Sequence, residues 1–292
     1  MSTNTSFLAA ITATKRAEMA LVSAAERSTV RAAAFAKRAG RPSHVFRQAL
    51  AKPDRVNLIA EVKRSSPSAG AIRPGADPVQ FASLYAAHGA AAISVLTEPV
   101  YFSGSLADLR SVCAAVSCPA LRKDFIVDAY QILEAAAAGA EAVLLIVASL
   151  APAEIVALRM LAEDELGMDA LVEVHAESEM RVAIECGARI IGVNNRNLAT
   201  LVVDLATSRA LARYAQPGRV LVSESGLRSA ADLRQLGALG YGAFLVGELL
   251  MRAPDPAREL EDLIAQASPQ AQSLLSQPAP GTPFGDTEAG GG

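Results

Sequence analysis

The sequence predicts an α/β fold, a (β/α)8 TIM barrel with an N-terminal helical extension. Two observations carry the prediction. Eight short apolar runs alternate with helix-period segments between Asn57 and Ala267, the pattern of a parallel sheet covered on both faces. Several helical segments also end at a glycine just before the next apolar run, at Gly89, Gly139, Gly167, Gly187 and Gly240, where a left-handed helix cap suits glycine. A doubly wound open sheet is the structural rival, but no Gly-x-Gly-x-x-Gly turn follows the first strand.

In chain order, residues 1–50 carry helix-period stretches rich in Ala, Lys, Arg and Glu, Phe7 to Ala25 and Val30 to Ala39, broken at Gly40-Arg41-Pro42. They are expected to lie across the barrel. The candidate strands of the barrel domain, 51–267, are Asn57 to Lys63, Ala91 to Thr97, Ala120 to Asp124, Ala142 to Val147, Ala170 to Val174, Ile190 to Asn194, Val220 to Glu224 and Ala243 to Val246. The candidate helices are Pro78 to His88, Leu106 to Ala115, Ala129 to Ala138, Pro152 to Leu166, Ser178 to Glu185, Leu205 to Tyr214, Ala230 to Leu239 and Pro256 to Ala267. From Ser268 to Gly292, Pro, Gly, Ser and Gln dominate, so 268–292 is expected to be a disordered tail.

A chain of 292 residues holds one large barrel or two ordinary domains. The net charge of -3 and the lack of a Lys/Arg block argue against a nucleic-acid partner. Cys113, Cys118 and Cys186 sit in apolar, Ala-rich surroundings without metal-ligand spacing, so neither a metal nor a disulfide is expected. No leader pattern and no apolar run of membrane-spanning length is visible. A cytoplasmic protein with no membrane partner is expected.

Active sites of such barrels lie at the C-terminal strand ends. There the sequence places Glu61 and Lys63 on the first strand, Lys123 on the third, Glu173 on the fifth, Asn194 and Arg196 on the sixth, and Glu224 and Ser225 on the seventh. Glu61 and Lys63 are two residues apart, and a strand's side-chain period of two sends both to one side. A solvated ion pair explains one such position, but it explains the whole set poorly. Of the chain's five lysines only Lys63 and Lys123 fall between the first strand and the last, and both stand at strand ends. A lysine can exchange a proton where an arginine cannot. Ser66 follows the first strand, Ser225-Gly226 the seventh, and Gly247-Glu248 the eighth, just before a short apolar helical turn. Loops after strands seven and eight form the recurrent phosphate site of these barrels, although serine and glycine are common in any turn.

Seven segments in order, Glu61-Val62-Lys63-Arg64-Ser65-Ser66-Pro67-Ser68, Leu96-Thr97 with Tyr101-Phe102-Ser103-Gly104-Ser105, Arg122-Lys123-Asp124-Phe125, Leu144-Leu145-Ile146-Val147, Val172-Glu173-Val174-His175, Gly192-Val193-Asn194-Asn195-Arg196-Asn197-Leu198 and Ser223-Glu224-Ser225-Gly226, resemble the motifs of the indole-3-glycerol phosphate synthase family. The resemblance runs from about Ile11 to Met251. It implies N-terminal helices over a (β/α)8 barrel. It also implies conversion of 1-(2-carboxyphenylamino)-1-deoxyribulose 5-phosphate to indole-3-glycerol phosphate, carbon dioxide and water in tryptophan biosynthesis, without metal or organic cofactor.

By this resemblance Lys123 is the general acid of ring closure, and Lys63 holds the substrate carboxylate and is a candidate acid in dehydration. Glu61 is its partner or a base, Glu173 orients Lys123, Asn194 fixes Glu61 or the substrate, and Arg196 holds the carboxylate side. The resemblance does not divide acid and base roles among Glu61, Lys63 and Glu173. Phe102, Phe125, Leu144 and Leu198 match an apolar pocket for the aromatic ring, and Ser66, Ser225, Gly226, Gly247 and Glu248 match the phosphate site. Two positions depart from the pattern. Glu248 puts a carboxylate beside an expected phosphate, which would repel it unless only the backbone N–H faces the ligand, and Ala69 lacks a polar group for a lid contact. Phosphoribosylanthranilate isomerase, or a noncatalytic barrel serving as a binding partner, are the alternatives. The residues do not address association with other enzymes of the pathway.

Overall fold

The computed structural model describes residues 7–198 and 200–268. The expected tail lies outside the described residues except for Ser268. Eight parallel strands close into a barrel. They are β1 (Asn57–Val62), β2 (Ala92–Leu96), β3 (Ala120–Lys123), β4 (Ala142–Ile146), β5 (Asp169–Val174), β6 (Ile190–Asn194), β7 (Val220–Glu224) and β8 (Ala243–Val246). Each pairs with its sequence neighbour, and β1 closes on β8 with Asn57 opposite Ala243 and Ile59 opposite Leu245. Helices between the strands cover the outside, as βα units with short loops must.

The N-terminal segment differs in detail from its sequence pattern. It folds as three helices, Phe7–Ala20, Ala24–Arg38 and Val45–Leu50. The first break falls at Ser23, where the Ser23 side chain accepts from the Glu26 N–H and the Glu26 carboxylate accepts from the Ser23 N–H at 3.0 Å. This capping box satisfies two helix-end donors and starts a helix inside what reads as one periodic run. Ion pairs tie these helices to the barrel. Arg38 Nη1 meets Glu141 Oε2 at 2.5 Å with both side chains buried, Arg41 joins the same carboxylate, and Arg27 Nη1 meets Asp128 Oδ1 at 2.7 Å. Smaller differences follow the barrel. The expected Pro152 to Leu166 helix is α-helical to Met160 and widens into a π-helical turn, Leu161–Glu165. A two-stranded hairpin, Ser65–Ser66 with Gly70–Ala71, follows β1.

Two apolar cores result. One lies between sheet and outer helices and includes Leu58, Ile93, Val143, Val172 and Leu233. The other fills the barrel and includes Ile59, Leu121, Leu171 and Val222, with Phe46 and Leu50 of the third N-terminal helix beneath them. Burial of each such side chain contributes about 1.5–3 kcal/mol, so the barrel interior is a packed body and not a pore.

Candidate active site

Pairing registers decide which side chains meet at the C-terminal end. Two residues beyond Ile59, Leu121, Leu171 and Val222 stand Glu61, Lys123, Glu173 and Glu224, one from each alternate strand. A period of two keeps them inward, and four inward side chains from alternate strands form one layer of such a barrel. This layer is charged and buried, with Glu61 3%, Glu173 2% and Glu224 1% exposed.

Its contacts are tight. Lys123 Nζ donates to Glu173 Oε2 at 2.9 Å and lies 3.2 Å from Glu224 Oε2. Lys63 Nζ donates to Glu61 Oε1 at 2.8 Å, and Ser94 Oγ, on β2 opposite Glu61, donates to Glu61 Oε2 at 3.2 Å. His175 stands behind Glu173. Its Nε2 is 3.2 Å from Glu173 Oε1 and its Nδ1 is 3.2 Å from Glu179 Oε2.

Protonation follows from this crowding. Burial opposes the Lys123 charge, but Glu173, Glu224 and Glu61 outweigh it and hold the ammonium far above its ordinary value. Burial likewise opposes the Glu173 charge, and Lys123 with His175 overcomes it, so Glu173 stays ionised well below the carboxylate range. Burial opposes the Glu61 charge too, and Lys63 and Lys123 keep it below its ordinary value. Glu224 is the exception. Burial dominates there, Glu173 and Glu61 add like charge, and its carboxyl is pushed up to about 7 despite Lys123. His175 is pushed up to about 10, because Glu173 and Glu179 overcome the burial that would lower it.

Glycine makes room for this layer. A Cβ at Gly192 on β6 would sit 2.0 Å from Glu224 Oε1, and one at Gly247 would sit 2.7 Å from Glu61 Oε1 and 3.2 Å from Lys63 Nζ. Neither gap admits a side chain.

Above the layer is a cavity of about 160 Å³. All the site residues expected from the sequence line it. Phe102, Phe125, Leu144 and Leu198 form its apolar part, with Phe7 of the first helix, and the Phe102 and Phe125 ring centroids are 6.3 Å apart. Ser66, Ser225, Gly226, Gly247 and Glu248 also line it. Ser225 has φ 64 and Gly226 φ 78, a left-handed pair that a non-glycine residue holds only when its surroundings enforce it. Asn195 supplies that enforcement, its Nδ2 donating to the carbonyls of Glu224 and Ser225 at 3.0 and 3.1 Å.

Two residues make contacts the sequence does not specify. Asn194 Oδ1 accepts from the Arg196 N–H at 3.0 Å. Glu248 turns its carboxylate away, 3.0 Å from Arg252 Nε one helical turn on, which removes the expected repulsion of an anion at Gly247. Sequence reasoning places Glu224 at the barrel mouth without giving it a role, and gives none to Ser94, His175 or Asn195. Glu224 was visible at the end of β7; the others act through contacts that only the folded register creates. Among the described residues no group of three or more His, Cys, Asp or Glu is placed to hold a metal ion.

A family model described as indole-3-glycerol phosphate synthase matches residues 8–263. The chain belongs to the indole-3-glycerol phosphate synthase family. Its activity is that of a carboxy-lyase of tryptophan biosynthesis that forms indole-3-glycerol phosphate. An indole-3-glycerol phosphate synthase of Syntrophobacter fumaroxidans is 50% identical over 218 residues, 74% of this chain and 82% of that relative. One of Carboxydothermus hydrogenoformans is 50% identical over 224 residues, 75% and 84% of the two chains. Among solved structures, thiamine phosphate pyrophosphorylase from Pyrococcus furiosus superposes with a TM-score of 0.54 at 16% identity, over 72% of this chain and 94% of that one. KGPDC from Streptococcus mutans gives 0.54 at 14%, over 72% and 95%. Both likenesses concern the fold alone.

Proposed function

We propose that the charged layer and the cavity above it close the indole ring of 1-(2-carboxyphenylamino)-1-deoxyribulose 5-phosphate with Lys123 as the general acid. The grip of Glu173 and Glu224 on the Lys123 ammonium carries this reading. In ring closure the ring carbon bearing the carboxylate attacks the ketone carbon, and the carbonyl electrons move onto oxygen. Lys123 keeps its proton until that oxygen becomes basic, then gives it up, so the charge is met where it develops. Loss of carbon dioxide returns an electron pair to the ring. Dehydration then removes the new hydroxyl as water, with Lys63 as acid and Glu61 as the partner that takes back a proton.

Lys63 and Arg196 hold the substrate carboxylate at the mouth. Asn194 fixes the Arg196 backbone, and Glu173 orients Lys123, held in turn by His175. The aromatic ring lies against Phe102, Phe125, Leu144 and Leu198, and the phosphate is bound by Ser66, Ser225, Gly226 and the backbone at Gly247 and Glu248. Glu224, with a pKa of about 7, shares the acid and base work beside Lys123. The catalytic unit is the barrel, 51–267, with 1–50 as a packed extension. The reading places the protein in the cytoplasm, acting on a small phosphorylated substrate and not on nucleic acid. No helix among the described residues is long and apolar enough to cross a membrane.

The test is conversion of the carboxyphenylamino substrate by purified protein, following indole absorbance and released carbon dioxide together. One carbon dioxide per indole product supports the reading. Tight substrate binding without turnover would make the barrel a noncatalytic binder.

A further inference from the structure

A second cavity, of about 570 Å³, opens at the opposite end of the barrel, beside the N-terminal ends of β1, β7 and β8 and the helix Ala230–Ala238. That volume lies within the range of about 300–1,000 Å³ that holds small ligands. Five cationic side chains line it, Arg47, Lys52, Arg55, Arg219 and Arg234, and among the described residues no carboxylate does. In a chain of net charge -3, such a concentration of one sign focuses a field that draws anions.

The cations are not consumed by the fold. None of the five forms an ion pair among the described residues, whereas the Arg38 and Arg41 guanidiniums nearby in sequence share Glu141. Their polar partners are neutral carbonyls: Arg55 Nη2 donates to Gly89 O, Arg219 Nε to Ala188 O at 3.3 Å and Arg234 Nη1 to Gln266 O at 2.7 Å. Arg55 Nε and Arg219 Nη1 are buried with no hydrogen-bond partner among the described residues. Buried N–H groups of a charged fork are costly to leave unmatched. Guanidinium forks match the paired oxygens of phosphate and carboxylate alike. The floor beneath them is apolar, with Leu233, Tyr241 and Phe244 buried.

We propose that this cavity is a second ligand site, separate from the mouth, for a small anion bearing two or more negative phosphate or carboxylate charges. Arg55 and Arg219 are its central donors, and Arg47, Lys52 and Arg234 form its rim.

The test is calorimetric titration with pyrophosphate and, separately, citrate, in the presence of saturating indole-3-glycerol phosphate to occupy the mouth. At least one of the two anions should bind at one further site and weaken as salt is raised. Pyrophosphate alone would indicate a phosphate ligand, citrate alone a carboxylate ligand, and both a general polyanion site; each supports the proposal. Arg55→Met with Arg219→Met should weaken that binding at least tenfold, while Lys63→Met at the mouth leaves it unchanged. Where the double variant melts far below the parent, the exposed Lys52→Glu replaces it, with at least a threefold loss expected. No binding of either anion with the mouth filled, or parent-like affinity in these variants, overturns the proposal.

Discussion

At the base of β1, β3, β5 and β7 the barrel interior holds Ile59, Leu121, Leu171 and Val222, fully buried and apolar. Two residues further along the same strands it holds Glu61, Glu173 and Glu224, almost equally buried and charged, with the partly buried Lys123 among them. Backbone, direction and burial are common to both layers. Only the side chains differ, and with them what the layer contributes. The lower one excludes water and supplies stability. The upper one desolvates three carboxylates and an ammonium at a cost that mutual pairing offsets only in part, and on the proposed reading it provides controlled protonation in return. On that reading stability and chemistry are separable along one strand, and each is removable without the other.

The largest effect expected at the upper layer is on turnover. Lys123→Arg keeps the charge but cannot release a proton, so kcat should fall by about 10²- to 10⁴-fold with substrate affinity retained. Steady-state kinetics and a fluorescence titration read the two quantities apart. Parent-like turnover would reduce Lys123 to an electrostatic role.

The converse applies below. Leu121→Ala should destabilise by about 2–5 kcal/mol through lost burial and the cavity it leaves, with kcat per folded molecule unchanged. A denaturant melt beside an activity titration measures both. A loss of kcat matching Lys123→Arg would break the separation of layers.

Gly247→Val should raise KM by blocking close approach of the phosphate. It should also lower kcat, since its Cβ would crowd Glu61 and Lys63 at 2.7 and 3.2 Å. An effect on KM alone would show that the pair can move aside.

Glu224 gives a pH dependence. Ionising it, around pH 7, adds a second full negative charge beside Lys123 in a mouth that must accept an anionic substrate. The free-enzyme profile of kcat/KM should therefore fall as pH rises through about 7, and that limb should vanish in Glu224→Gln. A rising limb would instead make the ionised carboxylate a required base. Stability follows the same sign. The folded state holds a proton that an unfolded Glu, at 4.5, releases earlier, so parent stability relative to Glu224→Gln should fall as pH rises through this interval.

The smallest effect belongs to Glu248→Ser. Its carboxylate already faces Arg252, so KM should stay within about twofold of the parent, in keeping with an exposed ion pair worth little. A large loss would mean that this pair holds the phosphate loop in place.

Most of this is legible in the sequence because the barrel's code is local. Period-two placement puts Glu61 and Lys63 on one side, and glycines mark where several helices yield to the next strand. What escaped depends on register between strands. Ser94 meets Glu61 only because β2 pairs with β1 at that offset, and Asn195 reaches the Ser225 carbonyl from the neighbouring strand's loop. Gly192 looks like an ordinary strand glycine until Glu224 is seen to occupy the space its side chain would take. The Ser23 break was readable as Ser-x-x-Glu, but an uninterrupted run of helix formers masked it.

Closure of β1 on β8 carries a consequence for how the molecule is made. Asn57 finds its partner in Ala243, so a ribosome must deliver nearly the whole barrel before the first strand has both neighbours. Until then Phe46 and Leu50 have no finished floor to cap, and the edge of β1 is open to any strand that meets it. The earliest part of the chain to leave the ribosome is thus among the last to be secured, and the interval in between is when a nascent molecule of this kind has most need of a chaperone.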